Sequence, residues 1–519
     1  MSTKRAGAGS LAVECDVEVP MRDGVVLRAD VYRPSRGKHP ALLTRLPYSK
    51  LSRWTRDVLE PTAAARQGWA VVVQDTRGCY RSGGEWEPYV NEVDDGADTV
   101  GWVAAQPWCD GGVGMYGASY HGYTQWAAAS ARPGALRALA PFVAAGNSPL
   151  GPGADRMVGF GAALLWDRQM RLARAIHRSG DDATWLAGEL DRLADTRYEE
   201  HCAPAGRTSP APGVPAIDYG TIDVPALHVG GWHDLFVAET VAAFVAHRRA
   251  GVPSRLLIGP WSHLERTDPV GEQAFGTASG VDTIALRESL TSLQLRWFAH
   301  WMKKPDPDLA AEPPVRYFTT GANRWCETEG WPPRGLHPER YYLRAGGTLD
   351  FRPPGEEEAD CFVADPARPV PTLGGRTLLA PPQRAGPHDQ RGLSQRDDVA
   401  CYHGPVLSAG IEVTGSVLAE VWAMAAPGSQ VVARLLDVEP SGREWGLTDG
   451  VADLEKTPER IDLGPVSHVF APGHRVGLQL TWSSWPRWRP AAGGTGGPVR
   501  YHVRHDSTAP SHLQLPVRA

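Results

Sequence analysis

Three short stretches of the chain carry residues suited to acyl-transfer chemistry. In Gly114-Met115-Tyr116-Gly117-Ala118-Ser119-Tyr120-His121-Gly122 a serine sits between an apolar run and an Ala-rich segment. The run suits a strand and the segment suits a helix. Gly117 and Ala118 are small enough for a tight reversal, and Gly122 lets the helix approach the sheet. Such an elbow holds the hydroxyl at the carboxyl edge of a sheet, beside a helix N-terminus that favours developing negative charge. The common elbow is G-x-S-x-G, and here the last glycine comes one residue later. A serine that merely caps the helix is the alternative.

A serine hydroxyl needs a base to take its proton, and the base needs a carboxylate to orient it. Two stretches follow Ser119 in the serine, acid, histidine order of α/β-hydrolases. They are Gly230-Gly231-Trp232-His233-Asp234-Leu235-Phe236 and Gly259-Pro260-Trp261-Ser262-His263. Each comes after a short apolar run, 226–229 and 255–258, where loops leave the carboxyl edge of an open α/β sheet. Ser119 is therefore expected as nucleophile, His263 as base and Asp234 as acid. Asp234 could instead cap the helix that begins near Phe236, and His263 is one of 17 histidines. His121 and His233 compete for the role of base. His121, two residues past the serine, is expected to point elsewhere on its helix, and His233 precedes the acid. Asp75, in Gln74-Asp75-Thr76-Arg77-Gly78, competes for the role of acid. It precedes Ser119 and is expected to hold Arg77 or its own loop.

The elements that must position these groups follow from periodicity. Residues 25–32 alternate as a strand does. Residues 41–45, 70–75, 113–116, 136–140, 226–229 and 255–258 are short apolar runs of the kind buried on both faces of a sheet. Residues 94–105, 119–131 and 238–249 have helical spacing. Between the two groups of strands, residues 157–193 are helical in composition and 203–215 form a Pro-rich connector. This predicts one α/β core with a mostly parallel sheet, interrupted by a helical insert. After about Pro332 the helices are expected to stop. Residues 411–422, 430–438, 475–482 and 499–505 alternate as strands between Gly/Pro turns, which predicts an all-β sandwich or jelly roll. The expected division is 1–148 and 218–331 for the core, 149–217 for the cap and 332–519 for the β domain.

Composition bounds the rest. A chain of 519 residues with 42% hydrophobic residues can bury two or three cores, and a net charge of −6 without a basic block argues against nucleic acid. Neither a signal-peptide run nor a span of about 18 apolar residues is seen, so a cytoplasmic location is expected. The seven cysteines are scattered without C-x-x-C, and no metal motif occurs. Neither a metal nor a cofactor is expected. The expected partner is a small-molecule ester or amide, with no membrane, and a homo-oligomer stays open.

Together the motifs resemble the cocaine esterase/glutaryl acylase family of α/β-hydrolases, whose relatives are the Xaa-Pro dipeptidyl-peptidases and the α-amino-acid ester hydrolases. The resemblance runs through Arg45-Leu46-Pro47-Tyr48, Gln74 to Gly78, Trp108-Cys109-Asp110-Gly111 and the Ser119 elbow. It continues through the Asp234 and His263 stretches to Phe470-Ala471-Pro472-Gly473-His474-Arg475. It implies an α/β-hydrolase core with a helical cap insert, followed by an all-β jelly-roll C-terminal domain. The late Gly122 is normal in that family. Carried over by position, Ser119, Asp234 and His263 are the catalytic triad. The Tyr48 hydroxyl and the Tyr120 backbone N–H are the oxyanion donors, and Phe236 and Trp166 fall at aromatic pocket positions. The implied activity is hydrolysis of carboxylic esters or amides through an acyl-enzyme. A Xaa-Pro dipeptidyl-peptidase or an α-amino-acid ester hydrolase/acylase is the alternative, and a non-catalytic binding protein is a third reading. The insert is shorter than in cocaine esterase, and the elbow carries His121 where the amino-acid ester hydrolases carry acidic residues nearby.

Overall fold

The structure is a computed structural model and describes residues 10–56, 58–147, 159–179, 214, 216–379, 384–491 and 497–518. Its first sheet has ten strands: β1 (Leu11–Pro20), β2 (Val26–Pro34), β3 (His39–Leu46), β4 (Ala70–Asp75), β5 (Cys109–Ala118), β6 (Leu136–Phe142), β7 (Ala226–His233), β8 (Ser254–Ser262), β9 (Val315–Thr319) and β10 (Arg324–Thr328). Their order is β1-β2-β4-β3-β5-β6-β7-β8-β9-β10. The strands from β4 across to β9 run parallel. β1, β2 and β10 add antiparallel edges.

The apolar runs are buried because helices cover both faces. Leu43 and Val72 point into one core, with Val100, Val103 and Ala127 of the helices Glu92–Ala104 and Tyr120–Ser130. Their neighbours Leu42, Val71 and Val73 point into the other, with Leu293, Trp297 and Phe298 of the helix Leu290–Met302. That is the two-residue period of a strand realised on both faces at once.

The C-terminal half is β-rich. Its twelve-stranded sheet includes Ile411–Met424, Gln430–Val438, Arg475–Thr481, Val499–Asp506 and His512–Arg518. Val417, Ala419 and Val421 alternate inward from the first of these and pack with Leu478, Leu480, Leu513 and Leu515. The two halves are sewn together at Thr320, whose N–H donates to Ser467 and whose carbonyl accepts from Val469.

Several sequence expectations are corrected. The strand Leu11–Pro20 opens the first sheet although nothing in its sequence was singled out for it. β7 and β8 run on to His233 and Ser262, so Asp234 and His263 come directly off strand ends. Helices do not stop wholly at Pro332, since Arg391–Ser394 makes one turn. The helical reading of 157–193 holds for Phe160–Ser179. The remainder of that segment, most of the cap 149–217 and nearly all of the connector 203–215 lie outside the described residues. Among the described residues no helix is long and apolar enough to cross a membrane.

Candidate active site

Ser119 stands between β5 and the helix Tyr120–Ser130 with φ 59° and ψ −123°. A non-glycine residue rarely adopts that conformation, and such strain gathers at functional sites. The glycines beside it are there because nothing larger fits. A Cβ on Gly117 would lie 2.4 Å from the Cβ of His121, and one on Gly122 would lie 2.2 Å from the Cβ of Ala144. Gly117 also has φ +138°. The glycine that sequence spacing placed one residue late is thus set by the approach of the chain after β6. The Ser119 side chain makes no capping hydrogen bond to its helix, which removes the helix-cap alternative.

Its hydroxyl instead meets His263. The Ser119 Oγ to His263 Nε2 distance is 3.0 Å, and His263 Nδ1 lies 2.7 Å from Asp234 Oδ1. Asp234 is fully buried. Its other oxygen accepts from the Phe236 backbone N–H at 3.1 Å. Asp234 thus holds the imidazole and the turn into Phe236, while the helix Val237–Arg249 is capped at Phe236 without a side-chain capping bond. The Phe236 ring meets the His263 ring edge to face, 5.6 Å between centroids.

The competing residues separate. His233 is buried behind the site against Phe275, and burial depresses it to about 3. His121 does not point away, as its helical position suggested. It borders the cavity and packs on Tyr48 at 5.5 Å. Burial, with a smaller push from Arg266, depresses it to about 3. A histidine that weakly basic is a poor proton acceptor at neutral pH. Asp75 does not hold Arg77, which pairs with Asp23 and Asp95. It accepts the Lys50 backbone N–H at 2.6 Å, so it secures the loop that carries Tyr48.

Burial pushes the Tyr48 hydroxyl up to about 12, against hydrogen bonds with Trp166 and Ser119 that pull the other way. It stays protonated at neutral pH and borders the same cavities as Ser119. The Tyr120 side chain is fixed elsewhere, donating to Glu92 at 2.9 Å, which pairs with the buried Arg45. That anchor leaves the Tyr120 backbone N–H at the elbow itself.

Tyr48, Ser119, Trp166 and His263 border two cavities. One, of about 450 Å³, is also lined by His121 and Met170. A smaller one is lined by Tyr89, Tyr123 and Phe236. Leu378, from the C-terminal half, borders both. Sequence reasoning missed it, because a leucine in a Gly- and Pro-rich stretch carries no sign of a pocket. The same stretch supplies Arg376. Its guanidinium donates to the carbonyl of Trp232 at 2.9 Å and also to those of Leu463 and Pro465. The β-rich half thus holds the end of β7, directly before Asp234.

Comparisons with known proteins agree with this arrangement. Residues 23–265 match the family described as X-Pro dipeptidyl-peptidase (S15 family). Residues 308–514 match the X-Pro dipeptidyl-peptidase C-terminal non-catalytic domain, which begins before β9 although that strand pairs into the first sheet. Cocaine esterase of Rhodococcus sp. (strain MB1 Bresler) is 34% identical, over 98% of this chain and 99% of its own. Among solved structures, an aminopeptidase from a marine sediment Thaumarchaeota archaeon superposes with a TM-score of 0.77 at 23% identity, covering 100% of this chain and 98% of its own. An α-amino acid ester hydrolase does so with 0.73 at 22% identity and the same coverage. The identity over nearly the full length of both chains decides the matter: this chain belongs to the cocaine esterase and X-Pro dipeptidyl-peptidase (S15) family of α/β-hydrolases, and it is a serine hydrolase of carboxylic ester or amide bonds.

Proposed function

We propose that Ser119 is the nucleophile, with His263 as general base and Asp234 as its orienting acid. The observation that carries this reading is the unbroken hydrogen-bonded chain from Ser119 Oγ through the imidazole to Asp234. His263 takes the serine proton as Ser119 attacks the acyl carbonyl, and Asp234 stabilises the imidazolium that forms. The Tyr48 hydroxyl and the Tyr120 N–H receive the oxyanion. His263 then returns the proton to the leaving group, and water enters by the same route to release the acid.

Two cavities meeting at one serine suit the two halves of an ester. The aromatic wall with Phe236 and Trp166 supports an apolar acyl or alcohol group as the preferred substrate. We favour this over an N-terminal amine, because no carboxylate lines either cavity among the described residues. The division into core, cap 149–217 and β domain 332–519 remains our proposal, supported by β10 ending at Thr328 and the next strand, Leu336–Arg344, joining the second sheet. A cytoplasmic setting is supported by six free cysteines among the described residues, since thiols persist in reducing compartments.

A serine-directed phosphonate tests the nucleophile. It is expected to add once, at Ser119, and Ser119→Ala is expected to abolish both labelling and ester turnover. Labelling of another serine overturns the assignment. A side-by-side panel of apolar esters, aminoacyl esters and Xaa-Pro amides tests the substrate class, with apolar esters expected to give the highest kcat/KM.

A further inference from the structure

One hydrogen bond in the cavity wall has a direction fixed by chemistry. Trp166 Nε1 lies 2.9 Å from the Tyr48 hydroxyl oxygen. An indole N–H is a donor only, so the phenol oxygen must accept. The Tyr48 proton then has to leave toward another group, and Ser119 borders the same two cavities as Tyr48. A phenol O–H prefers the ring plane and has two such orientations. The donor on Trp166 disfavours one of them.

We propose that Trp166 is a positioning residue of the oxyanion hole, donating to Tyr48 from the helix Phe160–Ser179 so that the Tyr48 proton is aimed at the carbonyl oxygen bound above Ser119. The inference rests on the reading of Tyr48 as an oxyanion donor. It gives Trp166 a part in the chemical step beyond lining the pocket.

The indole is held firmly enough for that part. It stacks on Tyr120 with centroids 6.0 Å apart and 18° between planes. It also packs on Tyr89 and Trp86, each at 5.7 Å. Tyr89 and Tyr120 are fixed in turn, the Tyr89 N–H donating to the Tyr120 hydroxyl and that hydroxyl to Glu92. A donor held this way costs no reorganisation when the oxyanion forms. Donation into the phenol oxygen also polarises its O–H bond and strengthens the bond it gives in turn. The helix bearing Trp166 lies in the insert between β6 and β7. The insert therefore completes the oxyanion hole as well as shaping the cavity.

A double-mutant cycle on kcat, with p-nitrophenyl butyrate as substrate, tests the proposal. Trp166→Phe keeps a ring and removes the N–H. It is expected to lower kcat by about 10-fold in the parent protein, the order of one hydrogen bond to a developing charge. In the Tyr48→Phe background the same change is expected to alter kcat by less than about twofold, because no hydroxyl is left to aim. Phenylalanine is smaller than tryptophan, so β-(3-benzothienyl)alanine at position 166 serves as a second replacement. It preserves the indole outline and lacks the donor, and it is expected to reproduce the kcat loss with little change in KM. Equal losses in both backgrounds, or full kcat with the benzothienyl side chain, overturn the proposal and leave the Tyr48 reading standing. A Tyr48→Phe variant with normal kcat overturns that reading and the proposal together.

Discussion

Asp75 and Asp234 invite comparison. Each is fully buried at the carboxyl end of a strand in the parallel part of one sheet, and each carries its charge into a loop that serves Ser119. Asp234 meets an imidazole. Asp75 meets a backbone: it accepts the Lys50 N–H, and the Lys50 ammonium lies 3.7 Å from its other oxygen, shared with Asp16 and Asp30. Burial, only partly offset by Lys50, pushes Asp75 up to about 6. The sheet edge brings carboxylates to the site, and the segment facing each one decides whether it meets an imidazole or holds the chain.

The largest expected effect separates the two directly. Asp234→Asn keeps the shape of the acid but removes the charge that stabilises the imidazolium, so kcat is expected to fall by about 10²–10⁴-fold. Asp75→Asn is expected to change kcat far less. Comparable losses in steady-state kinetics of the two variants would erase the distinction.

Next in size is the support behind Asp234. Arg376→Gln strips donors from the carbonyls of Trp232, Leu463 and Pro465. Buried acceptors left unpaired cost about 1–3 kcal/mol each. Thermal melting is expected to show a clear loss of stability, and kcat is expected to drop as the end of β7 before Asp234 loosens. A variant that melts like the parent would show that the β-rich half does not hold that strand end.

The smallest effect sharpens the picture of Asp75. A carboxyl whose folded-state pKa lies above its unfolded value takes up protons on folding, so stability falls as pH rises through that window. For Asp75 the window runs from about 4 to about 6, and the change is at most about 3 kcal/mol. Asp75→Asn lacks this dependence. Melting curves between pH 4 and 7 are expected to show the variant gaining on the parent as pH rises. Parallel curves would mean that Asp75 is already ionised at the lower end.

Much of this site was legible in the chain. Apolar runs such as 70–75 admit few alternatives once helical segments alternate with them, and Ser119, Asp234 and His263 stand in the order an α/β-hydrolase requires. The cluster of small residues at Gly117, Ala118 and Gly122 announced a tight elbow. Less legible was the direction of any side chain near a turn. His121 was expected to face away from the site and instead packs on Tyr48 and borders the larger cavity. Asp75 was expected to hold Arg77 or its own loop; Arg77 pairs with Asp23 and Asp95 instead, and the Asp75 carbonyl accepts from the Ser82 hydroxyl in that loop.

Local pattern determined what depends on local sterics and periodicity: the strands that pack on both faces, the helices between them, the elbow, and the chain order of Ser119, Asp234 and His263. These follow from a handful of neighbouring residues, and each can be read in a short window. Tertiary structure alone decided which groups from distant segments share a cavity. Trp166 donates to Tyr48 across 118 positions, and Arg376 reaches Trp232 across 144. Contacts of that span leave no periodic trace, because they depend on how whole elements pack, and packing sums many small interactions spread along the entire chain.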